Sequence, residues 1–436
     1  MKKLIFGIFV LTIGTAMIFA GGSSQGNGSA ASGGSGASGT TVIRWAFWGN
    51  EERIQLSQQA VDVYEAANPG VKVNIEPSGG TGDHFNKVDT QLAGGNGPDI
   101  IQMGGNFPDY VNRNVILALD AYAGKGLNTA VIDAGSLDAG KINGKLYGIT
   151  TGITVPALIY NKTMLEKAGL PLPPPSSTYD EFRSYLVSLK SKLPSGVWPM
   201  MDFGVTSSST TPFGYWLRYN GTPIYDDVTN TTKVQPQDAQ KYLELFKDYR
   251  DNGLVPPADV AASYPETSSD TSALVAGKVA ITFTVSNQLP SFQAAMTDEV
   301  GLIEPPGAAT NKALWPQLSQ VMTVNKDSKN IEAAVKFIDF IINSPDAAKI
   351  LGNNRGSSAS STYRAGLSAN KDDQKINDYH ALAGPHTSPE TAHLPNDTEL
   401  NSTAYLVYQQ VAFGRLTPAQ GGQQIYDLLV RLIGKK

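Results

Sequence analysis

Cysteine is absent from this chain of 436 residues. Its absence excludes disulfide bonds, catalytic thiols, iron–sulfur clusters and zinc sites built on thiolates. A basic excess is also lacking, because 34 lysines and arginines stand against 39 aspartates and glutamates and give a net charge of −5. Since this balance would not neutralise a phosphate backbone, we expect no nucleic-acid partner.

Motifs that carry chemistry are missing as well. Neither a dinucleotide fingerprint nor a G-x-S-x-G nucleophile motif follows a predicted strand. Residues 135–141 have the spacing of a phosphate-binding loop, but Ile142 stands where that loop needs a Ser or Thr for magnesium. Residues 141–146 fit a hairpin with an Asn-Gly turn better. We therefore expect no cofactor and no catalytic residue.

Histidine is scarce, and its spacing does not favour a metal site. The four residues include no pair at i, i+4, and all but the first lie in a polar region: His84, His380, His386 and His393. Solvated histidines are the expectation, and we predict no bound metal.

What the chain does have is an apolar start. Lys2 and Lys3 precede an apolar run that reaches Ala20, a pattern typical of a secretory signal peptide over residues 1–20. A transmembrane anchor is the alternative. Residues 21–40 are almost only Gly, Ser and Ala, which predicts a flexible linker. Because no cysteine is available for lipidation, we expect an unlipidated protein exported to the periplasm.

From residue 41 onward the chain has the apolar content of a globular protein, and its length suggests two or three domains. β-Rich and helical segments alternate at residues 42–48, 51–67, 71–75, 83–92 and 99–103. This order predicts a parallel sheet covered by helices. Ligands of such sheets bind beyond the carboxyl ends of the strands, which here are residues 48–51, 76–84 and 102–110.

The second half of the chain has the same α/β character. Residues 148–161 form a long uncharged extended stretch, and a β-rich segment at 279–285 precedes Ser286-Asn287-Gln288. Helical patterns cover residues 178–192, 238–252, 330–342 and 344–352, and a final helix opens at 417–418. Residues 368–400 are polar and give no prediction.

A series of short strings then sets the chain in a family. They are FWG (47–49), NPGVKV (68–73), QLAGGNGPDII (91–101), NGKLYGI (143–149), LIYNK (158–162), EKAGL (166–170), LVAGKVA (274–280), SNQ (286–288), AAVKFI (333–338) and SPDAA (344–348). In this order they resemble the extracellular solute-binding proteins of sugar ABC transporters, the family that includes maltose-binding protein. Each string is common, so their shared order carries the resemblance.

The resemblance implies a two-lobed periplasmic binding protein fold, each lobe an α/β sheet flanked by helices, with a ligand cleft between the lobes. By analogy the N-terminal lobe is residues 41–150 plus 316–350, and the C-terminal lobe is residues 155–305 plus 356–436. Crossings between them would fall near residues 150–154, 306–315 and 353–356. The implied partners are a carbohydrate ligand and the permease subunits of an ABC transporter, with the protein itself a monomer.

Sugar rings stack on aromatic faces, while amides and carboxylates bind their hydroxyls. On that physics and on the resemblance, the candidate ligand-binding residues are Trp48, Asn50, Glu51, Phe107, Tyr110, Trp216, Asn287, Gln288, Trp315 and Arg355. Trp45 is assigned to the core, because its alternate neighbours Ile43 and Phe47 are apolar.

Structural roles compete with ligand binding at several of these positions. Asn50 and Glu51 suit the cap of the following helix, and Trp216 suits core packing. Arg355 has the fork geometry to hold a uronate carboxylate, but it could equally brace a hinge by bonding backbone carbonyls.

Three functions remain open on the sequence. The first is capture of a sugar or oligosaccharide for an ABC permease. The second is a secreted polysaccharide-processing enzyme, a hydrolase or lyase, for which the sequence offers no acid–base constellation. The third is a sensory or adhesive surface protein.

Overall fold

The computed structural model describes residues 39–203, 211–226, 229–264, 269–368, 370–390, 394 and 397–434. The predicted signal peptide and nearly all of the predicted linker lie outside these residues, as does His393. Within the described part of the chain, no helix combines the length and the apolar character needed to cross a bilayer.

Five strands form a first sheet. They are Thr41–Trp48 (β1), Val71–Ser78 (β2), Ile100–Met103 (β3), Ile149–Thr154 (β6) and Gln317–Val324 (β11). Their order across the sheet is β2-β1-β3-β11-β6. β1 is parallel to both β2 and β3, as the sequence predicts, whereas β11 is antiparallel to β3 and β6.

Four strands form a second sheet. They are Pro156–Asn161 (β7), Trp198–Met200 (β8), Val279–Val285 (β9) and Val300–Ile303 (β10), and their order is β10-β7-β9-β8. Between β3 and β6 in sequence lies the small hairpin of Lys141–Ile142 (β4) and Lys145–Leu146 (β5), whose strands pair at the predicted Asn-Gly turn.

Helices flank both sheets, so the mixed α/β architecture agrees with the predicted fold class. They are Glu51–Ala67, Thr81–Ala93, Phe107–Asn112, Ala134–Ala139, Lys162–Ala168, Tyr179–Lys190, Thr211–Tyr219, Pro236–Asp251, Ala258–Ala262, Leu289–Ala295, Ile331–Asn343, Pro345–Leu351, Ser361–Gly366, Lys371–Ala383, Asp397–Ala412 and Pro418–Gly434. Their starts follow local chemistry: Thr178 and Glu181 form a reciprocal capping box, and the Ser344 side chain caps the helix opened by Pro345.

The chain passes between the two sheets more than once. β6 runs into β7 through Val155 alone, and residues 304–316 lead back from β10 to β11. A third segment, residues 353–357, lies against β6, where Ile153 and Ser357 bridge. A Cβ on Gly152 would sit 2.6 Å from the carbonyl carbon of Gly356, so only glycine allows this approach.

Each sheet is part of its own apolar core. Trp45 is fully buried in the first core, as predicted, and its ring lies 4.6 Å from that of Phe47 and 5.3 Å from that of Phe337. Ala359 and Tyr363 also pack in the first core. The sequence analysis assigned residues 356–436 to the C-terminal lobe; the burial of these two side chains attaches the start of that range to the first sheet.

Candidate functional site

The parallel strands β1, β2 and β3 end at one edge of the first sheet, and aromatic side chains gather there. Trp48, the last residue of β1, is half-buried. Its ring lies 5.2 Å from that of His84 and 5.8 Å from that of Phe85, both on the helix that follows β2. The Phe85 ring lies 6.0 Å from that of Tyr110. We call these four residues the aromatic ledge.

The outer part of the ledge is open and the inner part is closed. Trp48 and Phe85 are half-buried, whereas His84 and Tyr110 are buried. The guanidinium of Arg113 lies 4.6 Å from the centre of the Tyr110 ring and also donates to Asp89 at 2.9 Å. The ledge therefore presents two partly exposed aromatic faces on a fixed base, which suits stacking of an apolar ring face.

A histidine and an amide hold the ledge in place. His84 Nε2 lies 2.8 Å from the backbone carbonyl oxygen of Gln102, so this nitrogen donates and Nδ1 is the acceptor. Nδ1 is buried without a hydrogen-bond partner. Burial lowers the pKa of His84 to about 4, so the ring is neutral at pH 7. The side chain of Gln102 donates to the carbonyl of Trp48 at 3.4 Å.

The first turn of the helix Glu51–Ala67 reaches toward the second half of the chain. Asn50 Oδ1 caps this helix by accepting from the backbone N–H of Arg53 at 3.0 Å, and Asn50 Nδ2 donates to Ser269 at 3.2 Å. Asn50 thus serves as a cap and as a link across 219 positions of sequence. Glu51 is exposed and accepts from the side chain of Gln55 at 3.1 Å.

Glu52, which the sequence analysis did not select, lies at the same junction. Its carboxylate accepts from the side-chain amide of Asn354 at 3.4 Å, and burial raises its pKa above the ordinary value. The segment predicted to bind a ligand beyond the end of β1 covered residues 48–51 and so ended one residue before Glu52. Phe85 was missed for the same reason, since the segment predicted at the end of β2 covered residues 76–84.

Asn287 is buried where the sheets adjoin. Its Oδ1 accepts from the Thr154 hydroxyl at 3.0 Å, and its Nδ2 donates to Ser319 Oγ at 2.8 Å. Thr154 ends β6 and Ser319 belongs to β11, so the amide ties the segment after β9 to two strands of the first sheet. Gln288 beside it is half-buried and begins a helix without capping it by its side chain.

Arg355 is a buried brace in this structure. Its guanidinium donates to the side chains of Gln102, of Gln320 at 3.1 Å and of Ser57 at 2.6 Å. It also lies 4.9 Å from the centre of the Phe47 ring. Only 4% of the residue is exposed, and burial lowers its pKa well below the ordinary value. Of the two roles left open by the sequence, the contacts match the brace, although its partners are side chains rather than backbone carbonyls.

Three other candidates also point into cores. Phe107 packs beneath the ledge and is 3% exposed. Trp216 packs in the core of the second sheet, where its indole N–H donates to the Asp238 carbonyl at 3.3 Å. Trp315 is 7% exposed, with the guanidinium of Arg218 4.9 Å from its ring centre. Each side chain is buried by packing in this structure, and its contact with a ligand stays a prediction.

The structure thus brings Trp48 and Tyr110 together at the ledge, with Phe107 packed beneath it, and leaves the other candidates at separate places. Among the residues described, no group of three His, Asp or Glu side chains is placed to hold a metal ion. Half-buried aromatic side chains beside fixed amides make a surface of the kind that binds polar molecules.

This chain belongs to the family of bacterial extracellular solute-binding proteins, whose family model matches residues 48–348. A binding protein of Brucella abortus (strain 2308) is 24% identical over 303 residues, which cover 68% of this chain and 70% of the relative.

Solved structures show the same two-lobed fold. An extracellular solute-binding protein of family 1 from Alicyclobacillus acidocaldarius is 27% identical, with a TM-score of 0.63 over 91% of this chain and 99% of that one. A periplasmic oligogalacturonide binding protein from Yersinia enterocolitica, in complex with saturated digalacturonic acid, has a TM-score of 0.78 at 22% identity, over 90% and 100%. An ABC substrate-binding protein from Listeria monocytogenes, in complex with cycloalternan, has a TM-score of 0.75 at 22% identity, over 91% and 100%.

Proposed function

We propose that this protein captures an oligosaccharide in the periplasm, as a monomer, and delivers it to the permease of an ABC transporter. The observation that carries the proposal is the aromatic ledge at the ends of β1, β2 and β3, where Trp48 and Phe85 keep part of their rings exposed. Binding proteins for digalacturonic acid and cycloalternan share the fold, which supports a carbohydrate as the solute.

The cleft of this proposal lies between two lobes, one built on each sheet. We propose residues 41–150 plus 316–350 as the N-terminal lobe and residues 155–305 plus 356–436 as the C-terminal lobe, with Ala359 and Tyr363 reassigned to the first. Asn50 and Ser269, which hydrogen-bond each other, would then stand on opposite sides of the cleft. Gln288 is the half-buried amide that the C-terminal lobe would offer.

A neutral sugar fits the ledge better than a uronate. A uronate needs an available cation, and the two arginines in contact with the ledge and its support are already engaged. Arg113 is paired with Asp89, and Arg355 is buried with its terminal nitrogens bonded to side chains. Neutral rings need only stacking and hydroxyl partners, which the ledge and nearby amides provide.

Titration calorimetry with neutral oligosaccharides, beside digalacturonate, tests the proposal. We expect a neutral oligosaccharide to bind and Trp48→Ala to weaken it about tenfold, since stacking and lost area together reach about 1.4 kcal/mol. Trp198→Ala is the matched control, because this tryptophan does not belong to the aromatic ledge. It starts β8, an edge strand of the second sheet, and pairs with the first residue of β9.

Several results would contradict the proposal. Equal affinity of the Trp48→Ala and Trp198→Ala variants would place the ligand away from the ledge. Shortened oligosaccharides in the mixture, detected by mass spectrometry, would favour the polysaccharide-processing enzyme instead. A melting curve of each variant separates a lost contact from a lost fold.

A further inference from the structure

A polar cavity of about 330 Å³ lies beside the third segment that runs between the sheets. One wall comes from residues 353–368, which include Asn353 and Arg364. This stretch is anchored in the first core through Ala359 and Tyr363. The other wall is the helix Lys371–Ala383, whose Ile376 packs in a cluster with second-sheet residues. A ligand in the cavity would therefore contact one segment that packs on the first sheet and one helix that packs on the second.

The lining of this cavity is polar apart from one residue, Leu367. Amides come from both walls, among them Asn353, Gln374 and Asn377, and serines add hydroxyl groups. Asn353 is only 3% exposed, and its Oδ1 is buried without a hydrogen-bond partner. The amides that are open to an occupant are those of Gln374 and Asn377, which are exposed and offer both donors and acceptors.

The charges at the cavity do not favour an anion. Arg364 is its only cationic side chain, and both terminal nitrogens bind Asp133, at 2.9 and 3.2 Å. One of them also donates to the Ser358 carbonyl at 2.8 Å. Asp373 adds a carboxylate to the lining, and it is the only one there, which is too few ligands for a divalent cation.

We propose that this cavity is a second ligand site, for a small neutral polyol, separate from the cleft that would bind the oligosaccharide. None of its lining residues belongs to the aromatic ledge. Its volume is within the range of small-molecule sites, which begins near about 300 Å³. Hydroxyl groups both donate and accept, so a polyol can bond the exposed amides of Gln374 and Asn377 and the serine hydroxyls of the lining.

Ligand-observed NMR with xylitol and the full-length protein tests this site. Asn377→Trp fills the cavity from an exposed position of the helix, so we expect it to weaken xylitol binding at least tenfold. Leu382→Trp is the control, because Leu382 is 39% exposed on the same helix and does not line the cavity. Trp48→Ala should leave xylitol binding unchanged.

Every outcome of this test either supports or overturns the second ligand site. Xylitol binding that survives Leu382→Trp and Trp48→Ala but not Asn377→Trp supports the site, whether or not an oligosaccharide binds the ledge. No xylitol binding to the unaltered protein would overturn it and leave a water-filled cavity. Binding lost with Trp48→Ala and kept with Asn377→Trp would overturn it too, because the probe would then occupy the cleft. Gln374→Trp repeats the test if Asn377→Trp melts early.

Discussion

Two regions contain residues that the sequence marks in the same way, yet their side chains differ in exposure. One is the aromatic ledge, and the other is the junction of the two sheets around Thr154, Asn287 and Arg355, which we call the crossing. At the ledge, Trp48 ends a strand and remains half-buried. At the crossing, Asn287 and Arg355 are 2% and 4% exposed. Their polar groups hydrogen-bond other side chains of the protein. A polar or aromatic residue at a strand end can serve a ligand only where the approaching chain leaves it uncovered.

Mutations at the crossing should lower the free energy of unfolding more than mutations at the ledge. The buried polar side chains of the crossing hydrogen-bond in two sets, one around Asn287 and one around Arg355, and removing one partner leaves the other buried without a bond. The ledge depends on ring contacts, whose loss is smaller and more local. Mutations should therefore separate the two regions by what they change, stability at the crossing and affinity at the ledge.

The largest effect is expected from Arg355→Met. The change leaves Gln102, Gln320 and Ser57 without their buried donor, and each such loss costs about 1–3 kcal/mol. We expect the free energy of unfolding, measured with urea, to fall by about 3 kcal/mol or more.

Arg431→Met is the control for that variant, because its ion pair with Glu399 is exposed and contributes about 1 kcal/mol at most. An Arg355→Met protein that keeps its stability but loses sugar affinity would show that the guanidinium binds the ligand. That result would contradict the structural role of Arg355 at the crossing.

Acid should weaken both regions through one histidine in each. Burial lowers the pKa of His84 at the ledge, and of His380 near the crossing, to about 4. His380 Nε2 lies 2.7 Å from Ser286 Oγ, and Nδ1 lies 3.4 Å from Ser357 Oγ. Below about pH 6.5 the unfolded chain binds protons that the folded chain does not, so stability falls as pH drops from about 6.5 to about 4.

Each histidine should contribute about 3 kcal/mol over that interval, because the unfolded and folded pKa values differ by about 2.5 units and each unit is worth about 1.4 kcal/mol. Urea unfolding of His84→Gln and His380→Gln across the interval measures this. Each substitution should flatten the pH dependence relative to the unaltered protein. An unchanged slope in either variant would mean that its histidine titrates normally in the folded protein.

A smaller effect should separate Asn287 from its neighbour Gln288. Asn287→Ala removes the hydrogen bonds to Thr154 and Ser319, so we expect a loss of about 1–3 kcal/mol in stability. Gln288→Ala, at a half-buried position, should change stability by about 0.5 kcal/mol or less. Calorimetry would contradict this division if Asn287→Ala weakened sugar binding more than Trp48→Ala while its melting curve stayed unchanged.

Local structure and family could be read from the sequence. Period-2 and helical patterns placed β1, the helix Glu51–Ala67 and the first sheet's parallel order, because these depend on neighbours within a few residues. The order of short strings indicated the two-lobed fold. The helix Lys371–Ala383 was missed, since its sequence is mostly polar and its buried apolar residues are only Ile376, Tyr379 and Ala383.

Only the tertiary structure decided which candidate side chains are free. Arg355 meets Gln102 across 253 positions of sequence, and Asn287 meets Thr154 across 133. Trp216 and Trp315 are covered by helices and loops whose docking no local pattern encodes. Hydrogen bonding and burial depend on the three-dimensional surroundings of a group, so sequence could name the residues near the strand ends but not which of them remain open to a ligand.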